Sequence, residues 1–147
     1  MRNILSLKIC IPLFLIGLSA CELERSDNGD LDGFWQLRDV DTLATGGTCD
    51  MRDSGITWSF QGNILELRST KDIKKDFMMR FRVSGDTLTL TDPYHIARDS
   101  GDVKINDPRR LMPFGVHQLE MQYRILHLNS STMNLESDEL RMYFRKY

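Results

Sequence analysis

From residue 33 onward the chain changes character at almost every step, and that period of two governs what it can become. In Phe77-Met78-Met79-Arg80-Phe81-Arg82-Val83, the side chains of Phe77, Met79, Phe81 and Val83 fall on one face, with Arg80 and Arg82 on the other. Side chains alternate across a strand, so this pattern predicts a strand with one face in a core and one in water. The same reading gives strands over 33–41, 56–60, 64–68, 77–83, 87–91, 122–128, 132–136 and 140–146. Gln61-Gly62-Asn63, Ser84-Gly85-Asp86, Asn129-Ser130-Ser131 and Ser137-Asp138-Glu139 stand between them as turns. Residues 42–54 read as a loop. Asp92-Pro93 reads as a strand stop, because proline has no N–H for the ladder. Residues 94–115 read as a surface excursion with one short strand near 103–105. No stretch has a convincing amphipathic helical pattern.

The predicted fold is therefore all-β. About eight short antiparallel strands must hide their edges, which favours closure into an up-and-down barrel. A β-sandwich is the alternative.

The front of the chain has a different character. Arg2 and Lys8 precede the uncharged, mostly apolar run 9–18, which is the right length for a signal core and too short to span a bilayer. Leu18-Ser19-Ala20-Cys21 then resembles the bacterial lipobox. That resemblance implies cleavage before Cys21 and lipid attachment at Cys21, with acyl chains holding the protein on a membrane. Residues 22–32 hold five acids and one base, and read as an acidic, mobile tether. Acidic residues directly after the cysteine also resemble the surface-export signal of Bacteroidota-type lipoproteins. The expected organisation is a signal peptide over 1–20, lipidated cysteine and tether over 21–32, and one domain over 33–147. The expected location is the cell envelope, as an outer-membrane lipoprotein facing the surface or the periplasm.

Charge and cysteine narrow the function. The chain has 19 Lys+Arg and 21 Asp+Glu; from Gly33 onward the two balance at 16 against 16. Such a body has no electrostatic footprint for nucleic acid. Of three cysteines, Cys10 leaves with the signal and Cys21 is the lipid site, so Cys49 alone stays a thiol, expected as a small buried residue, with a reactive site as the alternative. No disulfide can brace the domain. His95, His117 and His127 have no metal-ligand spacing, and no nucleophile elbow or phosphate loop is present. No constellation names a reaction, so the chain reads as a non-enzyme without cofactor or metal. Asn28-Gly29-Asp30-Leu31-Asp32-Gly33 approaches a calcium loop, but it starts with Asn, and its closing position, Asp39, is not the Glu required.

Gly33-Phe34-Trp35, following a lipobox and a polar linker, resembles the first strand of small bacterial lipocalin-like lipoproteins. The resemblance covers roughly residues 31–147. It implies that Trp35 closes the floor of the barrel and that the interior can hold a small, partly apolar ligand. The residues expected to line such a site are Trp58, Phe60, Phe77, Met79, Phe81, His127 and Met142. An eight-stranded barrel is also narrow enough for its own side chains to fill it. Its partner would then be another envelope protein, met through the 94–115 segment.

Overall fold

The computed structural model describes residues 26–72 and 75–147. The signal, the lipobox and Cys21 lie outside the described residues. Ten strands form one antiparallel sheet: β1 (Gly33–Thr42), β2 (Gly47–Asp50), β3 (Ile56–Gln61), β4 (Ile64–Ser69), β5 (Phe77–Ser84), β6 (Thr87–His95), β7 (Val103–Lys104), β8 (Met121–Leu128), β9 (Thr132–Glu136) and β10 (Leu140–Lys146). Eight of them run β10-β9-β8-β6-β5-β4-β3-β1, and β1 pairs with β10 to close the barrel. The remaining two, β2 and β7, are short additions along β1 and β6. There is no α-helix among the described residues, and none of their helices is long and apolar enough to cross a membrane.

The alternation does what period two requires. Trp35, Leu37, Trp58, Phe60, Leu65, Leu67, Phe77, Met79, Leu88, Leu90, Met142 and Phe144 all point inward and are buried. Each large apolar side chain so buried contributes roughly 1.5–3 kcal/mol against exposure. Two-residue loops, Gly62-Asn63 between Gln61 and Ile64 and Gly85-Asp86 between Ser84 and Thr87, fix the registers of their hairpins.

Four expectations change. Residues 47–50 are a strand paired with β1, not loop, and all four are exposed. Cys49 is accordingly an exposed thiol rather than a buried residue. β6 runs through Asp92-Pro93, because a bulge sits there: Met78 pairs with Tyr94 and Arg80 with Thr91. Asp92 takes φ 51° in that bulge, where the ladder is broken and Pro93 needs no N–H. Residues 26–32 are not loose tether. A 3-10 turn (Gly29–Leu31) buries Leu31, since an apolar side chain beside an open barrel end gains by entering it.

The two ends of the barrel differ. One end, here the floor, carries residues 26–32, the 61–64, 84–87 and 128–132 turns, and Tyr147. The other, the mouth, carries β2, β7 and the long 95–121 connection.

Candidate functional site

Both ends are closed from within the chain. At the floor the Trp35 indole donates its N–H to the Leu31 carbonyl at 2.8 Å. Lys146 lies over the same ring, 4.7 Å from its centroid, and donates to the Asp30 carbonyl. At the mouth, residues 105–116 turn back into the barrel through two 3-10 turns (Pro108–Arg110 and Met112–Phe114), burying Ile105, Leu111, Phe114 and Val116. The excursion predicted for this segment is a plug. Phe114 packs edge-on against Phe77 at 5.6 Å, and its carbonyl accepts from the Trp58 indole at 3.1 Å. The Tyr123 hydroxyl donates to the Gly115 carbonyl at 2.7 Å. Burial pushes the Tyr123 phenol far above the usual tyrosine range.

Six of the seven residues expected to line a ligand site come together as core. Trp58 meets Phe60, Tyr123 and Phe144 at 6.2, 5.8 and 5.1 Å, and Phe60 meets Phe81 edge-on at 5.0 Å. Met79 and Met142 complete the cluster. His127 is apart from them. A bulge between Ile125 and His127 turns its ring outward, where Thr132 and Asn129 hold it at 2.9 and 3.0 Å. Side chains occupy the interior around Trp58, and the principal clefts open on the outside.

The cleft with the most chemistry lies at the mouth beside the plug. It measures about 610 Å³ and lies between the ends of β4 and β6. Ile96 and Ala97 give it an apolar side; Arg68, Asp76 and His95 give it a polar one. Arg68 pairs with Glu66 at 2.5 Å, while its Nε stands 3.7 Å from Asp76 Oδ2, too far for a hydrogen bond. Arg68 Nε and Asp76 Oδ1 are both shut off from solvent, with no hydrogen-bond partner among the described residues. Each such atom costs on the order of 1–3 kcal/mol. The wall therefore carries one unmet donor and one unmet acceptor. The His95 ring packs on Phe77 at 5.5 Å, and Phe77 also lies under Arg110.

This cleft was not expected from the sequence. Arg68 reads as the outward residue of a strand, and Asp76 as part of a charged connection. Only the fold brings them together. The calcium-like segment is used otherwise: Ser26 and the Asn28 amide donate to Asp32 at 2.5 and 2.8 Å. Burial raises the Asp32 pKa, but those hydrogen bonds and the field of Lys146 outweigh it and hold the carboxylate low. Among the described residues no three or more His, Cys, Asp or Glu side chains are gathered as metal ligands.

Comparison with known proteins places this architecture. The model of the "Lipocalin-like domain" family matches residues 16–147. Among solved structures, a lipocalin-like protein from Bacteroides uniformis ATCC 8492 is similar at 23% identity and TM-score 0.62, covering 81% of this chain and all of that one. An uncharacterized protein from Bacteroides eggerthii DSM 20697 is similar at 18% identity and TM-score 0.53, covering 80% of this chain and 99% of that one. At these identities the likeness is one of fold. No functionally curated protein matches the chain.

Proposed function

The chain belongs to the lipocalin-like domain family, and from that premise we propose that it is a membrane-anchored, non-catalytic binding module of the bacterial envelope. Its ligand is a small, partly apolar molecule carrying a polar group, and it binds in the mouth cleft rather than inside the barrel. The observation that carries this reading is the pair of unmet polar atoms, Arg68 Nε and Asp76 Oδ1, in the wall of a cleft of ligand size. A group that accepts from the one and donates to the other relieves both as the wall adjusts around it. The buried Trp58, Phe77, Met79 and Met142 side chains, which occupy the barrel interior among the described residues, support the same choice.

The test is native mass spectrometry of the protein purified from cells without stripping bound molecules. The wild type is expected to carry an added mass that Asp76→Leu and Arg68→Met, which remove the acceptor and the donor, each lose while staying folded. A bare wild type, or a mass retained by both variants, would refute the cleft as the site.

A second reading rests on the plug itself. Val103 and Met112 are exposed beside Arg109 and Arg110 at the mouth, a mixture typical of protein interfaces. On that reading the filled barrel is a scaffold and the plug meets an envelope protein. A photo-crosslinker at Met112 that captures no defined partner in intact cells would count against it.

A further inference from the structure

The floor of the barrel is built as the opposite of its mouth. Residue 26 is held to the floor by short bonds: the Gly62 N–H donates to Ser26 Oγ at 2.6 Å, and the Asn28 amide donates to the Gly62 carbonyl at 2.8 Å. Leu31 then locks into the barrel end. The point at which the chain leaves the domain is therefore fixed on this face.

Five residue steps separate Ser26 from Cys21. A fully extended chain covers at most about 3.3–3.6 Å per residue, so those steps reach no further than roughly 18 Å. An acyl-bearing Cys21 would keep the floor close to the headgroups.

Exposed apolar side chains occur at both ends: Leu43, Val103 and Met112 at the mouth, and a larger set, with two aromatic rings, at the floor. Phe34, Val83, Leu126 and Tyr147 are 58%, 41%, 40% and 75% exposed, and all four stand at this end. Tyr147 donates its backbone N–H to the Phe34 carbonyl at 3.0 Å, which makes the two residues neighbours across the β1–β10 seam. A groove of about 440 Å³ opens on this end, walled by Leu31, Phe81, Val83, Ile125 and Leu128. Aromatic and apolar side chains on one rim suit the interfacial layer of a bilayer.

We propose that the floor docks on the lipid surface, with Val83, Leu126, Phe34 and Tyr147 entering the interfacial layer and the groove receiving acyl-chain surface. The proposal rests on the lipid-anchor reading of Cys21. It adds an orientation: the plug and the Arg68–Asp76 cleft face away from the membrane. Asp27, Asp30, Asp32 and Asp86 stand at the floor with Arg82 and Lys146, so the floor has no net positive charge to draw it to anionic lipid.

The test uses the full lipoprotein purified from membranes, with Cys49→Ser removing the exposed thiol. A nitroxide is attached at Val83→Cys or Leu126→Cys on the floor, and at Val103→Cys or Met112→Cys at the mouth. The protein is reconstituted into zwitterionic phosphatidylethanolamine–phosphatidylcholine vesicles. Floor labels are expected to collide several-fold more with membrane-dissolved oxygen than with a water-soluble nickel chelate, and mouth labels the reverse. Equal accessibility at both ends would overturn the docked floor, even with the N-terminal peptide carrying diacylglycerol by mass. An unmodified Cys21 and a protein that fails to float with vesicles would overturn the anchor reading, and the docking with it.

Discussion

At the scale of single residues, Gly115 and Tyr123 hold the plug in place. Gly115 has φ 84°, and a Cβ built on it would lie 2.3 Å from the Met142 sulfur. Gly115→Ala meets both backbone strain and a clash with a core side chain. It should cost about 2–4 kcal/mol, read as a lower urea midpoint at unchanged slope. Tyr123 makes a pH prediction. Its folded pKa is raised by burial above the unfolded value of about 10, so its stabilisation is complete below pH 10 and is lost above it. There the unfolded chain releases the phenol proton and the native state does not. Stability should fall by about 1.4 kcal/mol per pH unit from this group. Tyr123→Phe should be less stable at neutral pH, having lost its bond to Gly115, and should lack that part of the alkaline slope. Matching slopes in wild type and variant would refute the assignment.

At the scale of elements, the legible parts of the chain were those whose burial is decided locally. Eight barrel strands announce themselves because inward residues mostly fall two positions apart, and short polar turns, two of them with glycine, stand between several of them. β2 does not: Gly47-Thr48-Cys49-Asp50 buries nothing, so it has no alternation and is held by its pairing with β1. β6 continues past Pro93 because of a bulge that depends on β5. The plug is hidden for a different reason. Ile105, Leu111, Phe114 and Val116 are apolar residues in an otherwise polar stretch, which is a signal. Their spacing follows no strand or helix, and their burial depends on a barrel mouth made by distant strands. For the same reason the sequence could gather Trp58, Phe77 and Met79 on one face without telling a lined cavity from a packed core. Phe114→Ala should turn one into the other, at a cost of about 3–5 kcal/mol. Xenon-perturbed methyl NMR shifts around Phe77 and Trp58 should appear in the variant and be missing from the wild type.

At the scale of the whole molecule, stability rests on closing β1 against β10. Trp35 is paired with Lys146 there, so the seam joins the two ends of the domain. Lys146 adds its cation to the Trp35 face and its N–H to Asp30. Lys146→Ala should therefore cost about 1–2 kcal/mol in chemical denaturation, more than an ordinary surface substitution. Such long-range pairing also predicts slow refolding, in milliseconds to seconds, when followed by stopped-flow circular dichroism. The two closures have a spectroscopic consequence. The chain has two tryptophans, cross-strand neighbours on β1 and β3, both fully buried, and each indole bonds to a different end of the barrel. Their native emission is expected to be blue, because both indoles are buried, and each should shift to the red when its own end lets in water. Trp58→Phe leaves a chain whose fluorescence reports on the floor, and Trp35→Phe one that reports on the plug. The protein thus carries a separate native fluorophore for each of its two doors.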